Sequence, residues 1–382
     1  MPAEGSPQRG LGFPRGYGEG PAERDAALLL RCLLGTLPRA LYALLWHEGS
    51  ASGALAVVER GEAGSDGDRA FLLGAEVGAI RCALAACDAR FALPGDPDYW
   101  PAFIRLDDPP AGVFVQGAPL DPGDVRVAVI GSRRPSALGR EVATDLARGL
   151  AHGGAIVVSG AALGIDAAAH RGALEAAGRT VAVLGSGIDI AYPATNRDLL
   201  DQIRSTGTIL SEYPPGVPAE PYRFPARNRL IAALSRGVVV VEGAARSGTR
   251  ITAECATDLG LDVFAVPGPV TSPLSETPLA LIRDGARMIR GADDLLADLD
   301  IEPSSPAGVV PVGLPPPEQR VFDALAVCML PDAVARRAGM PMAEAVGALI
   351  RLELRGLVRG TGGRYERTFG RGRVGEGAEP AG

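Results

Sequence analysis

Between Val125 and Gly268, short apolar runs alternate with longer stretches in which apolar residues recur every three or four positions. The runs Val125–Ile130, Ala155–Val158, Thr180–Leu184, Thr208–Leu210, Val238–Val241 and Val263–Val266 read as strands. Leu138–His152, Ile165–Ala177, Asn196–Ser205, Asn228–Leu234, Ile251–Leu259 and Pro278–Asp284 read as the helices that separate and follow them. Strands that are nearly all apolar must be buried on both faces, so the pattern predicts an α/β block built on a parallel sheet. A short helix over Asp293–Leu299 closes the block, and Val113-Phe114-Val115 is a strand leading into it.

Different patterns flank this block. Leu28, Leu29, Leu33, Leu37, Leu41, Leu44 and Leu45 lie near helical spacing, which predicts a small helical domain over residues 22–90, ahead of the α/β domain at 91–300. Residues 1–21, rich in Gly and Pro, are expected to be disordered. A Pro-rich stretch at 301–317 reads as an extended linker, and 369–382 as a flexible Gly-rich tail. Between them, 318–368 carries three amphipathic helical patterns and then a hairpin pattern, the layout of a winged helix. From Glu318 to Arg367 there are eight arginines against six acidic residues, a weak positive balance that suits protein contact as well as DNA.

Composition narrows the class. An apolar content of 47% with 22% charged residues describes a globular chain, and no apolar run reaches the ~18 residues of a membrane span. The N-terminus lacks a signal-peptide layout, so a cytoplasmic location is expected. Five cysteines and three histidines form no metal-ligand spacing, and no metal site is expected. The net charge of −7 disfavours a nucleic-acid partner only on average, because binding depends on local patches. Every basic residue is arginine, so each phosphate contact would be a planar, potentially bidentate guanidinium.

The turns after the strands carry the candidate chemistry. They are Gly131-Ser132-Arg133-Arg134, Ser159-Gly160, Gly185-Ser186-Gly187, Arg227-Asn228-Arg229, Arg246-Ser247-Gly248-Thr249 and Pro267-Gly268. A parallel sheet gathers such turns on one edge, where N–H groups, hydroxyls and guanidiniums suit several phosphates at once. The first turn matches neither GxGxxG nor GxxxxGK[ST], which disfavours a nucleotide cofactor and ATP hydrolysis. Asp166 and His170, four apart on one helix, read either as an acid–base pair or, preferably, as a helix-start carboxylate above a packed imidazole. In Tyr222–Ile231, Arg223, Arg227 and Arg229 surround Asn228 beside Phe224. That stretch suits a single strand, whose phosphates meet arginine and whose bases stack on aromatic rings, or else a helix start with Phe224 buried. Ser247, Gly248 and Thr249 open a helix and offer either a phosphate site or a cap.

Four segments, VAVIGSRRPSALGR, VVSGAALGIDAAAHRGALEAAGRTVAVLGSGIDIAYPATNRDL, LSEYPPGVPAEPYRFPARNRLIAALS and VVVVEGAARSGTRITAECA, followed by VFAVPGPV, resemble the DprA/Smf family over roughly Pro94 to Leu299. That family protects incoming single-stranded DNA and loads RecA during natural transformation. The resemblance implies an extended Rossmann-like fold between a helical sterile-alpha-motif-like domain and a winged helix. It also implies a homodimer, no catalytic residues and no cofactor. Its motifs fall on Gly131, Ser132 and Arg133, on Tyr192, Pro193, Asn196 and Arg197, and on Phe224, Pro225, Arg227, Asn228 and Arg229. With Ser159, Gly160, Ser247, Gly248 and Thr249, these give the expected DNA-binding set, and the resemblance favours DNA contact for the Phe224–Arg229 element.

The chain departs from the family at Leu163, where an arginine is usual, at Glu276-Thr277-Pro278, where Gly-x-Asn is usual, and at Leu34–Pro38, which lacks the Pro-Gly-Ile-Gly hairpin. The apolar regions Leu259–Val266 and Leu279–Ile289 are the expected dimer face. The competing reading is a nucleoside-monophosphate phosphoribohydrolase of the lysine-decarboxylase-like Rossmann type. Its PGGxGTxxE motif is incomplete here: Glu254 stands two residues late after Gly248-Thr249, and the Gly-Gly pair is absent.

Overall fold

The structure, a computed structural model, describes residues 12–245, 247–301, 314–325, 329–355, 357–361 and 363–367. The chain divides into two compact units, Met1–Pro303 and Ser304–Gly382.

The first unit opens with α1 (Pro21–Arg31), α2 (Pro38–Glu48), α3 (Ala51–Glu59), α4 (Asp66–Gly74) and α5 (Val77–Ala86). Leu30, Leu33, Leu41, Leu45 and Val58 belong to the core shared by α1, α2 and α3, and Leu84 of α5 packs in a separate cluster with Phe114. Residues 12–20, expected to be disordered, pack onto this core instead. Phe13 stacks on Tyr17 with ring centroids 4.9 Å apart, and the Tyr42 hydroxyl donates to the Gly12 carbonyl at 2.7 Å. Two aromatic rings recover enough apolar burial to order a segment that its glycines and prolines would leave free. Residues 1–11 lie outside the described residues.

Nine strands follow: β1 (Arg90–Ala92), β2 (Val113–Gly117), β3 (Arg126–Ile130), β4 (Ile156–Ser159), β5 (Thr180–Gly187), β6 (Thr208–Tyr213), β7 (Gly237–Val240), β8 (Asp262–Ala265) and β9 (Arg287–Met288). They form one sheet in the order β1-β2-β6-β5-β4-β3-β7-β8-β9. From β6 to β9 in that order every pairing is parallel, while β2 pairs antiparallel with both β1 and β6. The parallel α/β block is as the apolar runs predict. At two and three residues, β9 and β1 are too short to show a run of their own.

The helices are α6 (Ala137–His152), α7 (Ile165–Glu175), α8 (Arg197–Thr206), α9 (Arg223–Ala233), α10 (Gly248–Asp258), α11 (Glu276–Arg283) and α12 (Ala292–Asp298). Val127 and Val129 of β3 face α6, α7 and α12, whereas Ala128 and Ile130 face α9 and α10. Gly172 lets α7 approach α6, since a Cβ there would lie 2.2 Å from the Thr144 carbonyl oxygen. Helix α9 begins five residues before the predicted start. Pro225 falls in its first turn, where a missing N–H costs nothing, so the proline does not break the helix.

The chain runs from β3 through β4 and β5 to β6 on one side of β3, then crosses back to β7 on the other. The crevice between the ends of β3 and β7 is therefore the topological switch point, the usual ligand position of an open α/β sheet.

The second unit contains α13 (Pro316–Ala324), α14 (Pro331–Ala338), α15 (Met342–Leu354) and an antiparallel hairpin of β10 (Val358–Thr361) and β11 (Arg364–Arg367), a winged helix. Pro316 and Pro317, taken with the linker on sequence, form the first turn of α13. Residues 302–313 and 368–382 lie outside the described residues. The buried Glu318 carboxylate lies 2.8 Å from Arg351 Nε and 2.9 Å from Arg355 Nη1, which ties α13 to α15.

Candidate nucleic-acid interface

The turns at the carboxyl ends of β3, β4 and β5 meet the start of α9 around one shallow cleft. Arg133, Gly160, Ala162, Leu163, Leu184, Gly185, Ser186, Tyr192, Pro193 and Phe224 line it. Arg133 is exposed, and its guanidinium carbon lies 4.8 Å from the centroid of the Phe224 ring. Phe224 in turn lies 5.3 Å from Tyr192 at an interplanar angle of 31°. A cation above an aromatic pair, open to solvent, presents both charge and a stacking face. The cavity itself is about 70 Å³. That is well below the roughly 300–1,000 Å³ of a small-molecule site, so the cleft is a platform and not an enclosing pocket.

The switch point between β3 and β7 is occupied by the protein itself. Glu242 follows β7, and its carboxylate accepts the Ser136 N–H at 2.9 Å and the Ser136 hydroxyl at 2.6 Å at the start of α6. The Glu242 carbonyl accepts the Ser132 N–H at 2.8 Å. A Cβ on Gly139 would lie 2.3 Å from the Glu242 carboxyl carbon. A helix N-terminus at this place would attract a phosphate, and here an internal carboxylate already takes that position. Glu242 was not singled out on sequence. Its signal is a lone carboxylate ending the apolar run Val238–Val241.

The second turn is clamped from three sides. Asp166 accepts the N–H groups of Gly160 at 3.2 Å and Ala162 at 3.4 Å. The Asn196 amide donates to the carbonyls of Ala161 at 3.0 Å and Ala162 at 3.3 Å. The Ile165 N–H donates to the Ser132 carbonyl at 3.1 Å, which joins the second turn to the first. Ser159 is buried and donates to the Val129 carbonyl at 2.7 Å. Gly164 has a φ of +84°, and a Cβ there would lie 2.3 Å from the Ser132 carbonyl oxygen. Gly164→Ala is therefore expected to cost about 2 kcal/mol or more of stability, because backbone strain and a backbone clash add. Its denaturant midpoint, measured beside that of Gly74→Ala, checks the expectation: Gly74 lacks the positive φ, and a Cβ there meets nothing within 4 Å.

Asp166 and His170 do not form an acid–base pair. His170 is fully buried, and its Nδ1 lies 2.7 Å from the Thr180 hydroxyl, which itself donates to the Val157 carbonyl at 2.6 Å. Burial, with Arg227 nearby, pushes the imidazole down to about 3, so it is neutral near pH 7. Burial raises the Asp166 carboxyl, against the opposing pull of Arg227. The pair is part of the scaffold beneath the turn.

The arginines of α9 point inward. Arg223 is 4% exposed and its guanidinium donates to the Tyr222 hydroxyl at 3.1 Å. Arg227, also 4% exposed, reaches under the second turn and donates to the Val183 carbonyl. A Cβ on Gly160 would lie 2.0 Å from its Nη1, so glycine is needed there to admit the guanidinium. Arg229 Nε donates to Asp108 at 3.0 Å and its Nη2 to Glu212 at 3.0 Å, with Nη1 2.9 Å from the other Glu212 oxygen. Burial alone would lower this guanidinium, but Glu212 and Asp108 outweigh it and raise it. The sequence reading of Arg227 and Arg229 as direct phosphate ligands is thus corrected: both lie within the protein, one beneath the cleft and one ion-paired in the core.

Of the remaining candidates, Arg197 is exposed at the start of α8, where Asn196 is buried. The Asn228 amide donates to the Gly248 carbonyl at 3.2 Å, placing the start of α10 against α9. Gly248 is exposed, Thr249 is buried, and Arg246 lies outside the described residues. The departure at Glu276-Thr277-Pro278 packs on this loop: Glu276 accepts the Ala245 N–H at 3.1 Å, and the Thr277 hydroxyl donates to the Ala244 carbonyl at 2.7 Å. Glu254 pairs with Arg250 at 2.9 Å on the exposed face of α10 and does not line the cleft.

Comparison with known proteins places this arrangement. A sequence model of the DNA recombination-mediator protein A family matches residues 90–300, and one of the DprA winged helix domain matches 302–364. The putative DNA processing protein DprA of Mycobacterium tuberculosis is 44% identical over 246 residues, which cover 62% of this chain and 63% of that relative's length. Protein Smf of Escherichia coli is 37% identical over 289 residues, 72% of this chain and 76% of the relative. The X-ray structure of DprA from Streptococcus pneumoniae superposes with a TM-score of 0.58 at 33% identity, covering 73% of this chain and 98% of that one.

Proposed function

The chain belongs to the DNA recombination-mediator protein A family, and on that premise we propose that it binds single-stranded DNA without catalysis, along the carboxyl edge of its sheet. One observation carries the reading: the exposed Arg133 guanidinium stands over the Phe224–Tyr192 pair, beside a switch point filled by the chain's own Glu242. Such an edge offers charge and stacking to a strand and leaves no cradle for a nucleotide cofactor.

In this reading Gly131, Ser132, Arg133, Arg197, Phe224, Asn228, Ser247 and Gly248 meet the strand. Ser159, Gly160, Asn196, Arg227 and Thr249 shape the turns, and Arg229 holds α9 to the core. Protection of incoming strands and their transfer to the recombinase RecA belong to the same proposal, in keeping with the family's description as a recombination mediator. So does a homodimer, for which β9 at the end of the sheet, with Met288 exposed, is the proposed face. No helix among the described residues is long and apolar enough to cross a membrane, and action in the cytoplasm is proposed.

A fluorescence-polarisation titration against thymidine strands of several lengths, repeated across salt concentrations, tests this. Single strands are expected to bind more tightly than duplex, with log affinity falling by about 0.7 per log unit of salt for each phosphate engaged. Equal affinity for single strand and duplex, or no binding at low salt, refutes the proposal.

A further inference from the structure

A second cavity lies at the other edge of the sheet, at the amino ends of β3, β7 and β8, which are neighbours in the strand order. Residues 122–125 ahead of β3, 233–236 ahead of β7, and Leu259 and Leu261 ahead of β8 form its walls. Trp100, Ala102 and Arg105 complete it. At about 360 Å³ it is much larger than the cleft. It falls within the roughly 300–1,000 Å³ of small-molecule sites.

The charges around this cavity are uneven. Arg105, Arg126 and Arg236 line it with a single carboxylate, that of Asp124. Asp124 is nearer to Arg179, at 3.1 Å, than to Arg126, at 3.8 Å. Arg126 is 2% exposed, and its guanidinium carbon lies 3.5 Å from the centroid of the Trp100 ring. It donates to carbonyl oxygens, from Nε to Leu234 at 3.3 Å and from Nη1 and Nη2 to Asp121 at 3.1 Å. Burial pushes this guanidinium down to about 10, so near neutrality it keeps a charge that its surroundings compensate poorly. Arg105 donates to the Leu259 carbonyl at the end of α10, as Arg126 does to Leu234 at the end of α9. A cation is favourable at a helix C-terminus, and capping accounts for these two arginines. It does not account for Arg236, which is exposed and has no carboxylate partner among the described residues. Leu234, Leu259 and Leu261 give the same cavity an apolar wall.

An excess of two guanidiniums beside an apolar wall suits a doubly charged anion on a compact apolar body better than it suits a lone carboxylate. We propose that this cavity binds a small phosphate monoester, its phosphate held by Arg236 and Arg105 and its body laid on Leu234, Leu259 and Leu261. Buried Arg126 adds its field from beneath. The site is separate from the cleft at the carboxyl edge and does not depend on what that edge carries.

Calorimetric titration of the full chain with 1-naphthyl phosphate, 1-naphthol and inorganic phosphate tests this. The naphthyl phosphate is expected to bind at least about tenfold more tightly than either of its parts. Arg236→Ala is expected to weaken it roughly tenfold, the scale of one charge-assisted phosphate contact, and Arg236→Glu roughly 100-fold. Arg133→Ala, at the opposite edge, is expected to bind the compound as the native protein does. Because residue 236 is exposed, both of its variants are expected to melt with the native protein. Equal binding of naphthol and its phosphate, native affinity in Arg236→Glu, or no binding at all overturns the proposal. A loss in Arg133→Ala also overturns it, by placing the compound in the cleft. Tighter binding of an acetylated Glu-Leu amide than of the phosphate does the same, by making the occupant a protein segment.

Discussion

Arg133→Ala is expected to weaken single-strand binding by roughly 10- to 100-fold, the range of a charge-assisted phosphate contact combined with a cation–aromatic one. Arg133 has no carboxylate partner among the described residues, and its place over Phe224 keeps the planar guanidinium at the cleft mouth. Losing one phosphate contact also makes the salt slope less negative by about 0.7. Arg133→Lys separates the two contributions. The ammonium keeps the charge, so the slope stays near native, while the stacked plane is lost and affinity falls part of the way. Titrations of the three proteins at several salt concentrations read both quantities. An alanine variant with native slope shows that the strand does not pass over the first turn, whatever its affinity.

On the proposed function, the position of Glu242 explains how a Rossmann-like sheet takes a strand in place of a nucleotide. In a dinucleotide fold the first strand leads to glycines that let a pyrophosphate approach a helix N-terminus. Here the glycines at 131 and 139 remain, but Gly131 lies against the Glu242 carbonyl and Gly139 against its carboxylate. The space that glycine opens is filled from within. On the proposed function the site therefore lies sideways along the edge, away from the β3–β7 crevice and at the turns of β3, β4 and β5, where the cleft is shallow.

The sheet was legible in the sequence because both its faces are buried, and burial on both faces writes unbroken apolar runs. The edge was legible because each run ends in Gly, Ser or Arg. Direction was not. Arg223, Arg227 and Arg229 carry the same charge within seven residues, and nothing local distinguishes an arginine that faces solvent from one that faces the core. What decides it for Arg229 is Asp108, 121 positions earlier in the chain, together with Glu212 on β6. For Arg227 it is the absence of a side chain at Gly160. Glu242 was obscured for the opposite reason. A glutamate reads as surface by type, and only the crevice gives it its meaning.

Arg229→Ala is expected to destabilise the first unit by about 3–5 kcal/mol, the usual consequence of removing one partner from a buried ion pair. The guanidinium is 7% exposed and bridges Glu212, which is 2% exposed, to Asp108. Its loss strands the Glu212 carboxylate where water cannot replace the donor, and leaves Asp108, a quarter exposed, without its partner. Thermal melting is expected to fall by roughly 6–20 °C, at about 2–4 °C per kcal/mol. The loss depends on pH with a definite sign. Burial already holds the Asp108 carboxyl above the ordinary carboxylate range, against the pull of Arg229. Without that pull the folded-state value rises further. A carboxyl raised on folding is most compatible with the fold when protonated, so the variant loses stability as pH rises through the raised value and regains it on acidification. The gap between native and variant melting temperatures is therefore widest near neutrality and narrows in acid. Restoring apolar fill with Arg229→Met does not restore stability, because the stranded carboxylates remain, whereas Arg229→Met combined with Asp108→Asn and Glu212→Gln recovers much of it. If Arg229→Ala melts with the native protein yet binds strands weakly, Arg229 meets DNA in solution and the inward assignment falls.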